Sequence, residues 1–456
     1  MTVVEQLAEF AAAQRATPIE EDVRHAAVRA VVDWVSATVP GSVTPAARGL
    51  TEALGPGPGP ARLIPSGQDT DVRTAALLNG TAAHAAELDD IYRDAFYHPG
   101  APTVAAAFAV ADQLDVSGED FLRAVTIGYE IGARIALAVG PAHYRHWHTT
   151  GTVGTFGAAA AAAELLQLDT VRFAGALALA ATMAAGLQQT FRSPSTGKPL
   201  HSGHAAEAGV VAALAAERGL AGALDVLEGP AGFGVATAGI TDLSVTGLGD
   251  PFCVTATTVK YHACCGHTFA AIDAALELRA DGPRVEDIIG IEIETYETAT
   301  RVAGRADPRE PGEARFSLAY TVAAALVLGS VRLRAFEPEA LRDPAIRDLM
   351  ARTTTRVDPE LDMMAPGRRA ARVRVTDRQG ASYERLRLTR KGDPEDPLSD
   401  RELRDKFDEL VPPVVGRSRA ESIASTLWKL PALTRMSALD WGAADGTRRR
   451  TPAEGD

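Results

Sequence analysis

The stretch "FGAAAAAAELLQL" at residues 156–168 contains six consecutive alanines that follow a glycine and precede a mixed polar and apolar end. Alanine loses no side-chain entropy in a helix, and its small side chain lets a neighbouring helix approach closely. The run is too short and too weakly apolar to cross a bilayer. Similar segments recur through the first 245 residues, which predicts a mainly helical protein with close helix–helix contacts.

The apolar pattern changes along the chain. Residues 1–245 show helical spacing between Gly, Pro, Asp and Ser boundaries, whereas 285–302 and 368–390 alternate apolar and polar residues in the manner of strands. The helical pattern returns at "RELRDKFDELV", residues 401–411. We therefore expect an all-helical domain, an inserted α/β domain and a disordered tail; their predicted limits are 1–260 with 395–445, 261–394, and 446–456.

Composition narrows the classes of function. The net charge of −13 over 456 residues argues against a general nucleic-acid binder, although a local cationic pocket can still bind an anionic substrate. Three cysteines do not resemble a secreted disulfide framework. The start "MTVVEQLAEFAAAQR" lacks the basic and apolar regions of a signal peptide. We expect a cytoplasmic protein that is not bound to a membrane.

The segment "KYHACCGHTF" at residues 260–269 concentrates lysine, histidine and cysteine, and it raises three alternatives: a metal site, a redox pair or an acid–base site. Adjacent Cys264 and Cys265 do not have the spacing of paired zinc ligands, and no second CxxC or HxxxH pair completes a set of four. Vicinal cysteines would form a strained disulfide ring. We expect small buried thiols and no metal or other cofactor.

Histidine and lysine also recur where helices are predicted to begin. His98 lies in "DAFYHPGAPTVAA", His148 in "HYRHWHTTGTVGTFGAA", and Arg192, Lys198 and His201 in "FRSPSTGKPLHSGHAAEAG". Backbone N–H groups at such helix starts favour anions, and histidine transfers protons near neutral pH. The recurrence points to a small substrate with several carboxylates and to acid–base chemistry.

Seven segments, taken together and in order, carry a family resemblance. They are "LNGTAAHAAELDD", "HPGAPTVAAAFAVAD", "HTTGTVGTFGAAAAAAELLQLD", "GKPLHSGHAAEAGVVAALAA", "VKYHACCGHTFAAIDAALEL", "EARFSLAYTVAAALVLG" and "GDPEDPLSDRELRDKF". The chain resembles the MmgE/PrpD family, which includes 2-methylcitrate dehydratases and cis-aconitate decarboxylases. The resemblance implies a large all-helical domain with a smaller α/β lid domain, a homodimer, and cofactor-free chemistry in a cleft between the domains.

The resemblance also assigns roles to residues. The implied catalytic groups are the acid–base histidine of the "HPG" motif, the histidine before the "TGT" turn, two lysines and a tyrosine, which fall on His98, His148, Lys198, Lys260 and Tyr320. The substrate-binding candidates around them are Glu87, Asp89, Asp90, Ile91, Thr149, Arg192, His201, His262, Cys265 and His267.

Some positions depart from the decarboxylase branch of the family. That branch carries an aspartate and a threonine whose places are taken here by Glu87 and Ile91, with one inserted residue before His98. A histidine of that branch aligns with Cys265, although His262 and His267 lie nearby in the sequence. The departures weigh against cis-aconitate as the substrate, but not against binding a carboxylate and moving a proton.

The chemistry common to the family is proton movement at a carbon next to a carboxylate. Loss of water would give a dehydratase, loss of carbon dioxide a decarboxylase, and return of the proton to the opposite face an epimerase of an imino- or amino-dicarboxylate. We favour a hydro-lyase similar to 2-methylcitrate dehydratase. The decarboxylase, the epimerase and a non-catalytic carboxylate-binding dimer stay open as alternatives.

Overall fold

The computed structural model describes residues 1–193, 195–365 and 367–441, apart from the side chain of Phe191. The segment 446–456, for which a disordered tail is predicted, lies outside the described residues. Contacts divide the chain into two compact units: a larger one formed by Met1–Thr258 and the described residues from Asp400 onward, and a smaller one formed by Val259–Ser399. The prediction of a mainly α protein with a smaller α/β part is confirmed.

The first part of the larger unit is a series of packed helices. They are α1 (Val3–Arg15), α2 (Glu21–Ser42), α3 (Pro45–Leu54), α4 (Val72–Ala85), α5 (Gly100–Leu114), α6 (Gly118–Tyr144), α7 (Thr149–Thr152), α8 (Gly154–Leu165), α9 (Thr170–Met183), α10 (Gln189–Arg192), α11 (Lys198–Glu217) and α12 (Phe233–Ala238). A two-stranded antiparallel ribbon, β1 (Ala61–Arg62) with β2 (Asp69–Thr70), and 3-10 turns at Arg93–Ala95 and Cys253–Ala256 complete this part.

Small residues set the spacing of the central helices. The six alanines of α8 are fully buried, and α8 packs against α5, α6, α9 and α11. A β-carbon built on Gly209 of α11 would lie 2.5 Å from the β-carbon of Ala158 in α8. One on Gly203 of α11 would lie 2.1 Å from the hydroxyl oxygen of Thr81 in α4. The sequence-based expectation of close helix contacts is thus met, and α11 comes near α4, α7 and α8 together.

The smaller unit combines a four-stranded sheet with helices. Its helices are α13 (Phe269–Asp281), α14 (Glu297–Val302), α15 (Pro311–Ala314), α16 (Leu318–Leu328), α17 (Pro338–Arg342), α18 (Pro344–Ala351) and α19 (Pro359–Met363), with 3-10 turns at Val285–Asp287 and Leu333–Phe336. Its strands are β3 (Ile288–Thr295), β4 (Thr353–Val357), β5 (Ala371–Asp377) and β6 (Ser382–Arg387). The strand order is β4-β3-β5-β6, in which only the β3–β4 pair of these strands is parallel.

Buried valines alternate with arginines along β5, which has a neighbouring strand on each side. Val373 and Val375 are buried on one face, the face on which α13 packs. Arg372 and Arg374 point to the other face, where they pair with glutamates of the neighbouring strands. This period of two residues is the strand pattern that the sequence shows at 368–390.

The chain then returns to the larger unit in α20 (Asp400–Leu410), α21 (Pro412–Val415) and α22 (Arg417–Leu427), followed by 3-10 turns at Leu430–Ala432 and Met436–Ala438. A buried ion pair fixes α20: the ammonium of Lys406 lies 2.5 Å from a carboxylate oxygen of Asp33 in α2. The same ammonium donates to the carbonyl of Leu88 at 2.9 Å. Removing one partner of such a pair leaves a buried charge uncompensated, so this contact holds the closing helix in place.

None of the helices in the described part of the chain is both long and apolar enough to cross a membrane.

The start of α5 depends on a buried carboxyl group. Asp90 accepts a hydrogen bond from the backbone N–H of Gly100 at 2.9 Å and another from the hydroxyl of Tyr129 at 2.7 Å. Burial, and then the negative charge of Asp33, raises the pKa of Asp90 to about 8. At neutral pH this group therefore binds a proton in the folded protein that it would release on unfolding.

This raised pKa predicts a pH-dependent stability. Between about pH 4 and pH 8 the folded protein binds more protons at Asp90 than the unfolded chain does, so its free energy of unfolding falls as the pH rises. Asp90→Asn should remove this contribution, which has a slope of up to about 1.4 kcal/mol per pH unit. Urea unfolding at several pH values, with the exposed Asp242→Asn as control, measures the difference. An unchanged slope in Asp90→Asn would contradict the assignment.

Candidate active site

Five buried or half-buried side chains of the larger unit meet in what we call the histidine cluster: His84, Asp89, His98, His148 and His201. His84 lies in the last turn of α4, and Asp89 follows in the turn after it. His98 lies two residues before α5, His148 directly precedes α7, and His201 lies in the first turn of α11. The close packing of these helices therefore brings together groups that are up to 117 positions apart in the chain (84 to 201).

The carboxylate of Asp89 lies between two histidines. Its Oδ2 atom is 2.6 Å from Nδ1 of His84 and 3.1 Å from Nδ1 of His98. The rings of His84 and His98 meet edge to face, with centroids 5.0 Å apart. The contact with His84 is a hydrogen bond, and a carboxylate that accepts from Nδ1–H fixes the tautomer of this ring and leaves its Nε2 as the nitrogen that can accept a proton. The contact with His98 is a close electrostatic contact. Nε2 of His84 is buried and has no hydrogen-bond partner among the described residues.

The other two histidines, His148 and His201, are joined by a hydrogen bond between ring nitrogens. Nδ1 of His148 lies 3.1 Å from Nδ1 of His201, and the ring of His148 also stacks on that of His84 at 5.4 Å. Two neutral rings in this contact need opposite tautomers, because one Nδ1 must donate and the other accept. The donor ring then has a basic Nε2, whereas the acceptor ring carries Nε2–H. The pair thus contains one proton acceptor and one proton donor.

Electrostatics favour the neutral form of both rings. Burial first, and then the positive charges of neighbouring groups such as Lys198, lower the pKa of His148 well below its ordinary value. The same causes, with burial the largest, lower the pKa of His201 to about 4. Both rings are therefore neutral at pH 7, the state that the shared proton requires.

A cation lies next to the cluster. The ammonium of Lys198, the first residue of α11, is hydrogen-bonded to the carboxylate of Glu87. The backbone of Glu87 has φ = +59°, in the left-handed region that non-glycine residues seldom adopt. Such strain concentrates at functional sites. The pair is about a quarter to a third exposed, so an anion that enters the site competes with Glu87 for the ammonium.

The loops that carry the cluster are anchored by backbone contacts. The N–H of His98 donates to the hydroxyl of Thr150 at 3.2 Å, and the N–H of His148 donates to the carbonyl of Gly186 at 2.9 Å. Ile91 exchanges two backbone hydrogen bonds with Thr258, each 2.9 Å long. These contacts fix the positions of the two catalytic candidates relative to α5 and α7.

The remaining candidates of the larger unit occupy different places. Thr149 is buried at the start of α7, next to His148. Asp90 holds the start of α5, as described above. The guanidinium of Arg192 donates to the carbonyl of Arg145 at 2.8 Å on the exposed side of α10, and no hydrogen bond or ion pair among the described residues joins it to the histidine cluster. Its role in substrate binding stays a prediction.

The cluster also contains a set of atoms that can ligate a cation. One ligand atom each from His84, Asp89 and His98 lies within 4.8 Å of the others. The 2.6 Å contact between His84 and Asp89 is the distance of a charge-assisted hydrogen bond, which accounts for the geometry without an ion. The chemistry argued below uses these residues as proton-transfer groups.

Five candidates lie in the smaller unit: Lys260, His262, Cys265, His267 and Tyr320. Lys260, which the predicted domain limits place in the helical domain, is buried in the loop that precedes α13. His262 pairs with Asp273 at 2.8 Å, and Nδ1 of His267 lies 2.5 Å from the hydroxyl of Tyr296. Cys265 is a half-buried thiol in the same loop.

Tyr320 is fully buried in α16, and its hydroxyl donates to the carbonyl of Ala335. Burial raises the pKa of this phenol above its ordinary value, so it stays protonated at neutral pH. The hydroxyl therefore has a structural partner within the smaller unit, and its part in catalysis stays a prediction.

Sequence reasoning missed His84 as a member of the cluster. It lies in the quoted segment "LNGTAAHAAELDD", but a lone histidine within a helix is most often a satisfied core residue. Its position five residues before Asp89 was the available signal, because a turn after α4 can fold the carboxylate back onto the ring. The stacking with His148 depends on tertiary packing, which the local sequence does not reveal.

Models of two protein domains match most of the chain. The chain matches the model of the MmgE/PrpD N-terminal domain over residues 5–246 and that of the MmgE/PrpD C-terminal domain over residues 262–430. A cis-aconitate decarboxylase-like protein of Aspergillus oryzae is 30% identical over 397 residues, which are 80% of this chain and 81% of that protein.

Two further relatives are named as cis-aconitate decarboxylases. The protein of Aspergillus terreus is 26% identical over 433 residues, 89% of this chain and 87% of its own length. That of Mus musculus is 27% identical over 382 residues, 80% of this chain and 77% of its own length. Since the two domain models together match most of the chain, the resemblance inferred from the sequence is confirmed, and the protein belongs to the MmgE/PrpD family.

Proposed function

We propose that this protein is a lyase that acts on a small di- or tricarboxylate by moving a proton at a carbon next to a carboxylate. The observation that carries the proposal is the neutral His148–His201 pair, which offers one proton donor and one proton acceptor beside Asp89 and its two histidines. Lys198 supplies a positive charge close to the cluster, as a carboxylate substrate requires.

We infer that the reaction is decarboxylation of a substrate of the cis-aconitate type, because the relatives that cover most of the chain carry that name. In such a step a carbon–carbon bond to one carboxylate breaks, and carbon dioxide leaves. The electron pair that stays on carbon is delocalised over the adjacent double bond. The ring that carries Nε2–H gives this proton to carbon while its Nδ1 takes the Nδ1 proton of the other ring. The basic Nε2 of that other ring then takes a proton from water, and the remaining hydroxide combines with carbon dioxide to give bicarbonate.

Dehydration is the second candidate, and the departures noted in the sequence favour it. Glu87, Ile91 and Cys265 stand where the decarboxylase branch has an aspartate, a threonine and a histidine. The basic Nε2 of the pair would then remove the proton next to a carboxylate, and a protonated group would assist loss of hydroxide as water. Epimerisation needs the same first step followed by return of the proton to the opposite face.

The candidates of the smaller unit are part of this proposal. Lys260 would add a second positive charge for a substrate carboxylate, and Tyr320, His262, Cys265 and His267 are assigned through the family resemblance. We also propose a homodimer, turnover without a cofactor, a cytoplasmic location and a lid role for the smaller unit. The three unbridged thiols fit a reducing compartment, which supports the proposed location.

The reaction itself is tested by proton NMR of the purified protein in D₂O with cis-aconitate, 2-methylcitrate, citrate or an amino-dicarboxylate. We expect cis-aconitate to give carbon dioxide and an unsaturated dicarboxylate with a terminal methylene, deuterated at one carbon. New vinyl signals from a hydroxy acid would instead select dehydration. Deuterium uptake without a new alkene would select epimerisation. No change with any of these compounds would contradict the lyase proposal and favour a carboxylate-binding protein.

The role of the neutral pair is tested by His148→Gln. Because proton transfer by a positioned side chain contributes roughly 100- to 10,000-fold, we expect kcat to fall by at least about 100-fold. The melting temperature should change little, because glutamine keeps a hydrogen-bonding side chain at the start of α7. His146→Gln, which alters an exposed ring two residues away, is the matched control and should retain wild-type kcat. Near-normal turnover of His148→Gln would show that the proton comes from elsewhere.

A further inference from the structure

We propose that Arg369 and Arg390 of the smaller unit form a binding site for an oxyanion, either a carboxylate or a phosphate group. Neither the family resemblance nor the relatives assign these two arginines. A substrate carboxylate and an independent phosphate offer the same oxyanion chemistry to a guanidinium, and binding and kinetic measurements separate them.

The two guanidinium groups converge over Gly266. A β-carbon built on Gly266 would lie 3.0 Å from Nη1 of Arg390 and 3.9 Å from Nη1 of Arg369. Nη1 of Arg390 also donates to the carbonyl of Gly266 at 3.2 Å. Both guanidinium groups therefore face the same side of Gly266, and the absence of a side chain there lets both come close to the backbone.

Only one of the two arginines is neutralised by the protein. Arg390 makes a bidentate, buried pair with Asp393, with contacts of 2.8 and 2.6 Å to the two carboxylate oxygens. Arg369 is largely shielded from solvent, yet no hydrogen bond or ion pair joins its side chain to any residue within 1–193, 195–365 and 367–441. Two like charges held together in this way are costly unless an anion bridges them.

The groups around the two arginines leave an excess of positive charge. Nδ1 of His267 lies 2.5 Å from the hydroxyl of Tyr296, and burial, followed by the charges of Arg369, Arg390 and Arg301, lowers the pKa of His267 to about 3. His267 is therefore neutral at pH 7, as is the phenol of Tyr296. Burial first, and then Arg390, lowers the pKa of Arg369. Asp393 lies close enough to stabilise the Arg369 charge, but both of its oxygens are already bound by Arg390.

The chemistry of the ligand follows from these donors. A guanidinium presents parallel N–H groups that match the spacing of two oxygens on a carboxylate or phosphate. Arg369 has its donors to offer, and Tyr296 and His267 lie beside it as neutral hydrogen-bonding groups. A cation would be repelled, and an apolar ligand would leave the guanidinium without a partner.

Equilibrium binding tests the site without any need for turnover. We compare wild type with Arg369→Gln and with Arg368→Gln, which alters an exposed neighbour in the same segment. Melting temperatures are measured with and without millimolar inorganic phosphate, and with cis-aconitate. The wild type and Arg368→Gln should be stabilised by at least one of the two anions, and Arg369→Gln should lose most of that shift. Without ligand, Arg369→Gln should be no less stable than Arg368→Gln, because an unpaired buried charge is removed.

Kinetics then identify the anion. If the site binds a substrate carboxylate, Arg369→Gln raises KM roughly 10- to 100-fold while kcat stays within about threefold. If the site binds an independent phosphate, KM is unchanged and only the phosphate shift is lost. Because the melting experiment needs no turnover, a protein that fails as a lyase can still confirm or refute the anion site.

A second substitution, Gly266→Ala, keeps the proposal testable if Arg369→Gln fails to fold. Gly266 lies outside the left-handed region, so alanine can adopt its backbone conformation, but the added methyl group would lie 3.0 Å from Nη1 of Arg390, closer than an ordinary contact, and would displace this guanidinium. Gly266→Ala should therefore weaken the anion-dependent shift as well. The proposal is overturned if neither anion stabilises the wild type, if Arg369→Gln keeps the full shift, or if Arg369→Gln is markedly less stable than Arg368→Gln without ligand.

Discussion

The carboxylate of Asp89 is the interaction on which the candidate site depends. It is buried, and one of its oxygens accepts a hydrogen bond from His84 at the end of α4 and lies 3.1 Å from Nδ1 of His98, two residues before α5. His84 in turn stacks on His148, which is hydrogen-bonded to His201. The carboxylate therefore orients the ring of His84, from which a series of ring contacts extends to residues of three other helix starts.

Helix packing makes this series of contacts possible. Glycine and alanine in α4, α8 and α11 let these helices approach until a single added methyl group would collide with a neighbour. Burial in that environment disfavours charged rings, which keeps His148 and His201 neutral and suited to exchange protons at pH 7. The packing that stabilises the larger unit thus also sets the protonation state of its candidate catalytic groups.

The sequence predicts much of this arrangement but not all of it. The alanine-rich helices and the alternating strands are local patterns, and His98, His148 and Lys198 are recognisable because they precede or begin helices in Gly- and Pro-rich turns. His84 gave no such signal, because its partners come from later turns and helices. Arg369 was equally hidden: in the sequence it is one of many arginines in an alternating strand region, and its lack of a carboxylate partner is visible only after folding.

The central claim is that a neutral histidine pair sharing one proton supplies both the acid and the base. Nitrogen-15 NMR of the histidine side chains, recorded from pH 5.5 to 8, tests it directly. The account predicts that His148 and His201 are neutral throughout and carry their protons on opposite nitrogens, one as the Nδ1–H and the other as the Nε2–H tautomer. If either ring titrated near pH 6.5, or if both had the same tautomer, the pair could not share a proton and the account would be contradicted.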